Sequence, residues 1–530
     1  MTRKHETDVV IVGGGLAGMT AAQAARSQGA RVLIVDRTEL GLATNTALSN
    51  GIFSGPTAGY DSARYVDDTL RIGRSLGRPW MARQVAAELP DAIDRLRKLG
   101  LQITEKKDHY SLSAGGGDEF PGVRLARVLA GCVRNDDGIV CMGGTWVDRI
   151  LTADKRAAGI NGFNREGRAV EVRAGAVILA TGGAGALYLR NDNQKSTLGQ
   201  GYALAADVGL ALWDMEFVQY YPVVMAQAHL PSMMLNSPHP EGSRIMTTDG
   251  RDLAEAYGID DINHAIRNRR DWLSAVLFEE WQKGPVYMDY QGVADPHWNR
   301  HPLVLLKKRR FDFRSQPVAI SPAAHYMMGG VRIDPTGTTD LSRLFACGEV
   351  AWGLHGACRK GGNALAECLV FGQLAGTHAA GVFGGNPRYE GPCDEKASAT
   401  SSAAPDRLAL RELRGNLQTI AWQHAGVVRS AAGLQAGLDG LDGLVPRILE
   451  LSVDPPEQRR ARTDLLSMAT VLRAISVASQ ARLESRGCFI RSDYPEENNA
   501  HWLTNSRVEG AAGSGRPTVS HHPSETVHAA

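Results

Sequence analysis

Apolar residues near the amino terminus come in two short runs that are separated by a glycine turn. The first run, Asp8 to Val12, leads into GGGLAG and an alanine-rich stretch, and the second run, Arg31 to Val35, ends at Asp36. Short continuous apolar runs are typical of buried strands, and the alanine-rich stretch between them is typical of a helix. The pattern therefore predicts a strand, a helix and a second strand.

The glycines of this turn, Gly13, Gly15 and Gly18, have the G-x-G-x-x-G spacing. In βαβ units with this spacing, the glycines let the backbone approach a pyrophosphate at the helix N-terminus, and an acid after the second strand accepts hydrogen bonds from ribose hydroxyls. Asp36 holds that position. The unit predicts a dinucleotide site, and a turn that is glycine-rich for structural reasons alone is the alternative.

Beyond this unit the residue pattern changes. Ala174 to Gly185 combines a buried-type apolar run with a second glycine turn, without a second full fingerprint. Between Met225 and Gln316, Trp, Tyr, His and Pro are scattered among short helical patches such as Arg270 to Gln282. From Pro317 to Gly385 the sequence is again rich in glycine and other small residues. These changes predict a capping domain inserted into one glycine-rich domain.

The carboxyl-terminal part predicts helices between two irregular segments. Residues 391–406 are of low complexity and predict a linker, and the glycine, serine, proline and histidine content from Glu509 onward predicts a disordered tail. A first helix is predicted by apolar residues at helical spacing, namely Leu410, Leu413, Leu417 and Ile420. The range from Asp464 to Ser485 contains a second long helical pattern.

Composition narrows the possible partners. The 530 residues carry 58 Lys plus Arg and 57 Asp plus Glu, and a net charge of +1 gives no support to nucleic acid as the main partner. No apolar run approaches the ~18 to 20 residues of a membrane span. The seven cysteines form no C-x-x-C pair, which argues against iron–sulfur, zinc and c-type haem sites and predicts a reducing, cytoplasmic location.

The segment HGACRKGG, residues 355–362, places Arg359 and a lysine directly before a glycine pair and a predicted helix start. A helix N-terminus already offers free N–H groups and the positive end of the helix dipole. An arginine at this point predicts a binding site for an anionic group, and a surface cation is the alternative.

Several segments together resemble one flavoenzyme family, the flavoprotein subunits of succinate dehydrogenase and fumarate reductase together with L-aspartate oxidase. The likeness covers roughly residues 7–508. It rests on the amino-terminal fingerprint, ILATGGAG, DMEFVQYYP, RDWLSAVLFEE followed by VYMDY, SPAAHYMMGGVRID, FACGEVAWGLHGACRKGGNALAECLVFG, and ARLESRGCFIRSDYP.

The resemblance implies an α/β fold, with a Rossmann-like FAD-binding domain of the glutathione-reductase type that is interrupted by an α+β capping domain and followed by a C-terminal helical domain. The expected boundaries are 1–225 and 317–390 for the FAD-binding domain, 226–316 for the capping domain, 391–406 for the linker, 407–508 for the helical domain, and 509–530 for the tail.

The resemblance also implies where FAD is held, chiefly at the two glycine turns, in the loop after the second strand and at the helix start that follows Arg359. The implied residues are Gly13, Gly14, Gly15, Leu16, Ala17, Gly18, Asp36, Arg37, Ala43, Thr44, Asn45, Asn50, Gly51, Val147, Ala180, Thr181, Gly182, Gln200, His325, Glu349, Asn363, Ala364 and Leu365. Members that attach FAD covalently have a histidine where this chain has Thr44. There is no histidine between Arg37 and Gly55, so we expect non-covalent FAD.

For the chemistry, the resemblance implies that Arg359 and His325 grip one substrate carboxylate. Arg270 then matches the arginine that moves a proton to or from the adjacent carbon while hydride passes to or from flavin N5. An arginine fork binds a carboxylate bidentately and stays charged. The alternatives are a satisfied core histidine for His325 and a solvated helix face for Arg270.

The chain departs from dicarboxylate members at the far end of the substrate site. Tyr221 replaces a histidine, and Leu235, Asn236 and His239 replace a Thr-Glu pair and an arginine. We expect a substrate with one carboxylate and a less charged second end, and His239 is a candidate for the lost proton relay. Candidates to line this end are Tyr220, Tyr221, Met233 and Met234.

The first functional expectation is an FAD-dependent oxidoreductase that dehydrogenates or reduces a carbon–carbon bond beside a carboxylate, with a substrate other than plain succinate or fumarate. The alternatives are an amino-acid oxidase similar to L-aspartate oxidase, using O₂, and a flavoprotein subunit that is non-catalytic or serves electron transfer. Because the chain lacks a second nucleotide fingerprint, we expect an external electron acceptor or donor: O₂, a quinone or a partner redox protein.

Overall fold

The amino-terminal part of the chain forms a sheet around the predicted strand, helix and strand. The computed structural model describes residues 3–113, 120–382, 406–512 and 516–528. The elements of the first part are β1 (Arg3–Val12), α1 (Leu16–Ser27), β2 (Val32–Val35), α2 (Asn45–Leu48), β3 (Ile52–Ser54), α3 (Ser62–Ile72), α4 (Pro79–Lys98), β4 (Ile103–Glu105), β5 (His109–Leu112), α5 (Pro121–Arg134), β6 (Ile139–Met142), β7 (Thr145–Ala153), β8 (Arg156–Asn164), β9 (Ala169–Leu179), α6 (Gln200–Asp207), β10 (Leu212–Trp213) and β11 (Val218–Met225).

The remaining elements form the middle and the carboxyl-terminal parts. They are β12 (Arg244–Thr247), α7 (Leu253–Ala256), α8 (Ile262–Asn268), α9 (Arg270–Lys283), β13 (Val286–Asp289), α10 (Leu303–Lys308), β14 (Val318–Met327), β15 (Gly330–Arg332), β16 (Leu344–Ala346), β17 (Ala351–Trp352), α11 (Asn363–Gly381), α12 (Arg407–His424), β18 (Val428–Arg429), α13 (Ala431–Leu449), α14 (Pro456–Ala481), β19 (Ile490–Arg491), α15 (Asn499–Trp502), β20 (Thr504–Glu509) and β21 (Thr518–Pro523).

A seven-stranded sheet positions the first glycine turn. Its strand order is β6-β2-β1-β9-β8-β7, and β16 also pairs with β9. β1 runs parallel to β2 and β9, and β16 runs parallel to β9. Parallel strands are usually buried on both faces, which explains their continuous apolar runs in the sequence. The predicted order of strand, helix and strand is confirmed.

The two helices that begin beside the predicted FAD site, α1 and α11, pack against each other through glycines. A Cβ on Gly372 would lie 2.7 Å from the carbonyl oxygen of Ala17, and a Cβ on Gly376 would lie 2.2 Å from that of Ala21. Only glycine permits backbones to approach this closely. The predicted helix start at Asn363 is confirmed.

The middle of the chain has a sheet and an apolar core of its own. The four-stranded sheet has the order β11-β14-β13-β12, and α9 packs on it through the buried side chains of Leu273 and Leu277. The predicted helical patch of residues 270–282 is confirmed by α9. The main core holds the strands of the seven-stranded sheet together with buried residues of α12, α13 and α14.

The helical patterns of the carboxyl-terminal part are confirmed, with one shift in position. Leu410, Leu413 and Leu417 are buried on α12. The second helical pattern, contained in residues 464–485, is confirmed by α14, which begins earlier, at Pro456, and ends at Ala481. Proline in the first helical turn marks this earlier start. The pattern did not extend to it because the charged residues after the proline interrupt the apolar spacing. Most of the predicted linker, residues 391–405, lies outside the described residues.

The predicted disordered tail is wrong for the residues that the structure describes there. β21 pairs antiparallel with β20 in a five-stranded sheet, with Thr504 opposite Pro523 and Glu509 opposite Thr518. The ring of His522 lies on Trp213, with the ring centroids 5.1 Å apart. Composition predicted disorder because these residues are mostly polar or small. They become ordered by pairing with β20, and composition does not identify that partner strand.

A buried network of ion pairs and hydrogen bonds joins the carboxyl-terminal part to the segment between β10 and β11. Arg482 Nε lies 2.7 Å from Glu216 Oε1, and its Nη1 lies 2.9 Å from Glu484 Oε1. The backbone N–H of Ser506 donates to Asp214 Oδ1 at 2.8 Å. All three side chains of the ion pairs are fully buried. Within the described residues, none of the helices has the length and apolar character that a membrane span requires.

Candidate active site

The first glycine turn forms a backbone cradle. Gly13 has a φ of +115°, and a Cβ on it would lie 2.2 Å from the carbonyl oxygen of Ala180. A Cβ on Gly18 would lie 2.0 Å from the carbonyl oxygen of Gly13. At the N-terminus of α1 the Leu16 N–H donates to the Thr46 hydroxyl at 3.0 Å, while Gly15 at the N-cap supplies no side-chain cap for the N–H groups that follow. The turn therefore presents open backbone N–H groups at a helix N-terminus, which fits a pyrophosphate.

Asp36 lies at the end of β2, as the fingerprint predicts. Its Oδ2 accepts a hydrogen bond from the Gly14 N–H at 2.6 Å, and its Oδ1 accepts from both the N–H and the hydroxyl of Thr38 at 2.7 Å. Oδ1 already accepts two hydrogen bonds and Oδ2 accepts one, so Oδ2 keeps acceptor capacity for a ribose hydroxyl.

The second glycine turn brings three further predicted residues together. Thr181 Oγ1 is buried and has no protein partner. A Cβ on Gly201 would lie 2.0 Å from that oxygen, so glycine leaves room for it. Gln200 Nε2 donates to the carbonyl oxygen of Val147 at 2.5 Å. Gln200 and Val147, which are both predicted to hold FAD, are thus hydrogen-bonded to each other.

The N-terminus of α11 is also open. Gly362 precedes the helix with a φ of +85°, and no side chain caps it. Asn363 accepts a hydrogen bond from the Tyr65 hydroxyl at 3.2 Å, while its Nδ2 is buried without a protein partner. The Asn363 N–H donates to the Lys360 carbonyl oxygen at 3.2 Å, and the N–H groups of Ala364 and Leu365 follow it in the first helical turn, at the positive end of the helix dipole.

Glu349 is fully enclosed next to the second glycine turn. Its Oε1 accepts from the Met327 N–H at 3.0 Å. Burial raises the pKa of Glu349 to about 8, and the Met327 hydrogen bond and the Arg359 charge oppose that shift. A carboxyl group in this state can donate or accept a hydrogen bond, which suits a polyhydroxyl chain such as ribityl.

The remaining predicted cofactor residues line the loop after β2 and its surroundings. Arg37 forms an ion pair with Asp464 at 2.8 Å, so its guanidinium faces α14. The Thr44 hydroxyl donates to the Gly41 carbonyl at 2.5 Å, and Asn45 Nδ2 donates to Asn193 Oδ1 at 2.6 Å. The structure places Ala43, Asn50 and Gly51 between β2 and β3, and Gly182 in the turn after β9.

Two arginines meet at one end of this cradle, Arg359 buried and Arg270 half-buried. Arg270 Nη2 donates to the carbonyl oxygen of Arg359 at 3.1 Å. The Arg359 guanidinium carbon lies 4.6 Å from the centroid of the Tyr326 ring, in cation–π geometry. The Nε atoms of both arginines are buried and have no hydrogen-bond partner among the residues that the structure describes. The pair therefore keeps N–H donors for an anionic ligand.

Burial and charge act differently on the two guanidinium groups. Burial lowers the pKa of Arg359, and the neighbouring charge of Arg270 lowers it further. Burial also acts to lower the pKa of Arg270, but Cys358 and Asp271 act to raise it, and the net direction is upward. Arg270 is therefore a weaker acid than a free arginine.

Three residues that the sequence did not single out hold these arginines. Cys358 Sγ donates to Asp271 Oδ2 at 3.2 Å, and burial raises the Cys358 pKa to about 12, so the thiol stays a donor. Gln219 Nε2 donates to the Arg359 carbonyl at 3.1 Å. The signal available was adjacency, since Cys358 and Asp271 directly neighbour the two arginines in sequence.

His325 lies on β14 and pairs with a residue that no motif pointed to. Its Nδ1 is 2.8 Å from Asp192 Oδ2, and its ring centroid is 6.1 Å from that of Tyr221. Burial raises the pKa of Tyr221 to about 12, and Arg270 opposes the shift, so the phenol stays neutral near neutral pH. The structure thus brings Tyr221 and His325 together.

His239 lies deeper in the middle part of the chain. Its Nδ1 is 2.9 Å from the Tyr290 hydroxyl, and its Nε2 is buried without a protein partner. Burial, followed by the neighbouring His301, lowers the pKa of His239 to about 4. The imidazole is therefore neutral at pH 7 and supplies no cation to replace the arginine of dicarboxylate enzymes.

The residues expected to line the far end separate into two groups. Tyr220 packs edge-on against Tyr188, with ring centroids 5.8 Å apart, and its hydroxyl donates to the Ala425 carbonyl, so this expectation was wrong for Tyr220. Neighbouring residues on a strand point to opposite faces, which turns Tyr220 into the main core. Met233 and Met234 are partly buried beside β11.

Comparison with known proteins agrees with this site. A family model described as FAD binding domain matches residues 8–365, and one described as Fumarate reductase flavoprotein C-term matches residues 414–529. L-aspartate oxidase of Streptomyces coelicolor is 31% identical, over 93% of this chain and 90% of its own length.

Two further relatives are also similar along their whole lengths. A fumarate reductase (CoM/CoB) polypeptide of Methanothermobacter marburgensis is 27% identical, over 93% of this chain and 95% of its own length. The solved structure of Mycobacterium smegmatis Sdh1 in complex with UQ1 has a TM-score of 0.84 and 26% identity, with 99% of this chain and 95% of that chain covered. The cradle glycines and the unpaired buried atoms of Thr181 and Asn363 fit FAD. The chain belongs to the family of FAD-dependent oxidoreductases that includes L-aspartate oxidase and the flavoprotein subunits of fumarate reductase and succinate dehydrogenase.

Proposed function

We propose that this FAD-dependent oxidoreductase dehydrogenates or reduces a carbon–carbon bond adjacent to a carboxylate. The observation that carries the proposal is the junction of Arg270 and Arg359, whose buried Nε atoms lack protein partners. Buried N–H donors without a partner are costly, so a ligand that accepts their hydrogen bonds is favoured strongly. FAD, when bound, would supply the hydride acceptor or donor at its N5 atom.

Arg359, His325 and Arg270 have different roles around the substrate. Arg359 grips the carboxylate as a bidentate fork and so orients the neighbouring carbon. His325 assists from β14, where its ring faces Tyr221. Arg270 carries a proton to or from the adjacent carbon, held in place by the Arg359 carbonyl and by Cys358. Water is kept from the Nε atoms of both arginines, which are buried.

The substrate that fits this site has one carboxylate and an uncharged second end. Tyr221 and His239 are both neutral at pH 7 in this structure. A second carboxylate would lose charge-assisted hydrogen bonds of about 1.5 to 3 kcal/mol each, which is roughly ten- to a hundred-fold in affinity per contact. The neutral far end therefore disfavours succinate and fumarate.

A stopped-flow screen of flavin bleaching tests the proposal. The holoenzyme would be mixed with monocarboxylates, dicarboxylates and amino acids, and the chemically reduced enzyme with their unsaturated analogues. We expect a compound with one carboxylate to change the flavin spectrum at least tenfold faster than succinate or fumarate does. Rapid turnover of succinate or fumarate would contradict the neutral far end.

Amino-acid oxidation is a second candidate, and the 31% identity to L-aspartate oxidase favours it. An oxidase would pass electrons to O₂, so peroxide release on mixing with L-amino acids separates the two candidates. In either case the electron acceptor or donor is external, and we propose O₂, a quinone or a partner redox protein. A flavin that reacts with no donor in the screen would instead favour a role in electron transfer alone.

We also propose a division into domains that serves this chemistry. Residues 1–225 and 317–390 form a Rossmann-like FAD-binding domain of the glutathione-reductase type, residues 226–316 form the α+β cap, and residues 407–508 form a helical domain. Support comes from the separate apolar core around β12 and β13, and from the parallel pairing of β16 with β9.

FAD is held without a covalent bond in this proposal, because Thr44 stands in the loop where covalent members have a histidine. We expect acid precipitation of the holoenzyme to leave a colourless pellet and a yellow supernatant. A hydroxyl that donates to the Gly41 carbonyl offers no nucleophilic nitrogen for attachment. Spectra of pellet and supernatant give the answer, and a yellow pellet that persists after washing would contradict it.

A further inference from the structure

The carboxylate of Asp192 is built into the backbone beside His325. The Ala324 N–H donates to the Arg190 carbonyl at 2.9 Å, and the Asp192 N–H donates to the Ala324 carbonyl at 3.3 Å. Asn193 Nδ2 donates to that same carbonyl at 2.9 Å and to Asp192 Oδ1 at 3.3 Å. Residues 190–193 therefore run alongside β14, and this pairing fixes Asp192 next to the histidine.

The contact between the two side chains has one arrangement of donor and acceptor. His325 Nδ1 lies 2.8 Å from Asp192 Oδ2, and only 5% of the Asp192 side chain is exposed. An ionised carboxylate accepts hydrogen bonds and cannot donate them, so Nδ1 must carry the hydrogen. The other ring nitrogen, Nε2, has no hydrogen-bond partner among the described residues, and 21% of the His325 side chain is exposed.

The charge of Asp192 acts within the site and not only on His325. Burial raises the pKa of Tyr221 to about 12 and that of Glu349 to about 8, and the negative charge of Asp192 adds to both shifts. Both residues belong to the site described above. The carboxylate therefore lies close to the place where a ligand would be bound.

We propose that Asp192 is a positioning residue that holds a proton on Nδ1 of His325 and thereby makes Nε2 the ring nitrogen that meets the substrate. This inference rests on the proposed function for the identity of the ligand, but not for the geometry of the pair. A carboxylate that fixes the tautomer and the orientation of an imidazole is a recurring arrangement in enzyme sites.

With Nδ1 fixed, Nε2 has two useful states. The charged ring donates from Nε2 to a substrate carboxylate, and the neutral ring accepts a hydrogen bond or a proton there. In a proton transfer from Nε2, the nitrogen–hydrogen bond breaks, its electron pair stays on the nitrogen, and the hydrogen bonds to the acceptor atom. His325 thus offers a second proton carrier beside Arg270, whose pKa is raised and whose proton is correspondingly harder to remove.

Nitrogen-15 NMR of histidine-labelled holoenzyme tests the inference. The His325 signals would be identified among the 15 histidines by their loss in His325→Asn. At about pH 8 we expect Nδ1 to carry the proton in the unaltered protein, by roughly tenfold or more over Nε2, because hydrogen bonds to charged groups are strong. A ring protonated on Nε2 alone would overturn the inference.

Two variants of Asp192 add a graded response. Asp192→Ala removes the acceptor and should move the proton distribution toward Nε2 by about tenfold, whereas Asp192→Asn keeps an uncharged acceptor and should move it less. If the alanine variant loses FAD or folds poorly, the isosteric asparagine variant carries the test. An unchanged His325 signal in both variants would overturn the inference.

A matched control exists at the surface. His109 Nδ1 lies 2.9 Å from Asp108 Oδ1, in the same type of contact but with the side chains 32% and 55% exposed. Asp108→Asn should leave the His325 signals unchanged. Because the NMR experiment uses no substrate, its outcome is independent of the flavin-bleaching screen, and failure of one can be distinguished from failure of the other.

Discussion

Replacing Arg359 by lysine is expected to lower turnover of the carboxylate substrate by roughly ten- to a hundred-fold for each hydrogen bond lost, while leaving FAD bound. Lysine keeps the positive charge but lacks the planar fork that holds a carboxylate in two parallel hydrogen bonds, each worth about 1.5 to 3 kcal/mol. The measurement is the rate of flavin bleaching with the best substrate from the screen, at several substrate concentrations.

Arg332→Lys is the matched control for this substitution. Arg332 lies on β15, is exposed, and covers the Trp213 ring at 5.6 Å from its centroid, so its replacement should change turnover little. FAD absorbance per protein reports whether either variant has lost the cofactor. Unchanged substrate kinetics in Arg359→Lys, and a flavin that reacts with every donor at the original rate in Arg359→Ala, would contradict the role of Arg359 as the carboxylate clamp.

Replacing Gly18 by alanine is expected to reduce FAD content sharply. The added methyl carbon would lie 2.0 Å from the carbonyl oxygen of Gly13, so the turn and the helix α1 must move apart. Overpacking of this kind costs about 1 to 3 kcal/mol, and it displaces the N–H groups that face the pyrophosphate. We expect FAD affinity to fall by roughly ten- to a hundred-fold, measured by flavin fluorescence during titration of the apoprotein.

Gly131→Ala is the control for this second change. Gly131 also lies within a helix, α5, but a Cβ on it would have no atom of another part of the chain within 4 Å. Alanine there should stabilise the helix by about 0.5 to 1 kcal/mol and leave FAD affinity unchanged. Equal FAD affinities in the Gly18 and Gly131 variants would show that the glycine cradle is not required.

Local patterns predicted the elements around the site well. The two apolar runs and the glycine spacing predicted β1, α1 and β2, and the glycine pair predicted the start of α11, because each signal spans only a few neighbouring residues. The meeting of Arg270 with Arg359 followed from the family resemblance and from no spacing rule, since the two residues are 89 positions apart.

Pairings between distant segments could not be predicted in this way. Asp192 is 133 positions from His325, and no motif surrounds it. β21 was taken for disordered chain because its polar residues become ordered only by pairing with β20. The prediction that Tyr220 lines the substrate site was wrong because the sequence does not reveal which face of β11 meets the core. Each of these depends on where two strands lie, which single-sequence periodicity does not specify.

The buried ion pairs have a consequence for how the polypeptide is made. Glu216 meets Arg482 only after 266 further residues have been synthesised, and Asp214 meets Ser506 after 292. Translation adds about 5 to 20 residues per second, so roughly ten seconds to a minute passes between synthesis of these carboxylates and synthesis of their partners. An unpaired buried charge costs about 3 to 5 kcal/mol, so the segment around Glu216 should become buried only after Arg482 has left the ribosome.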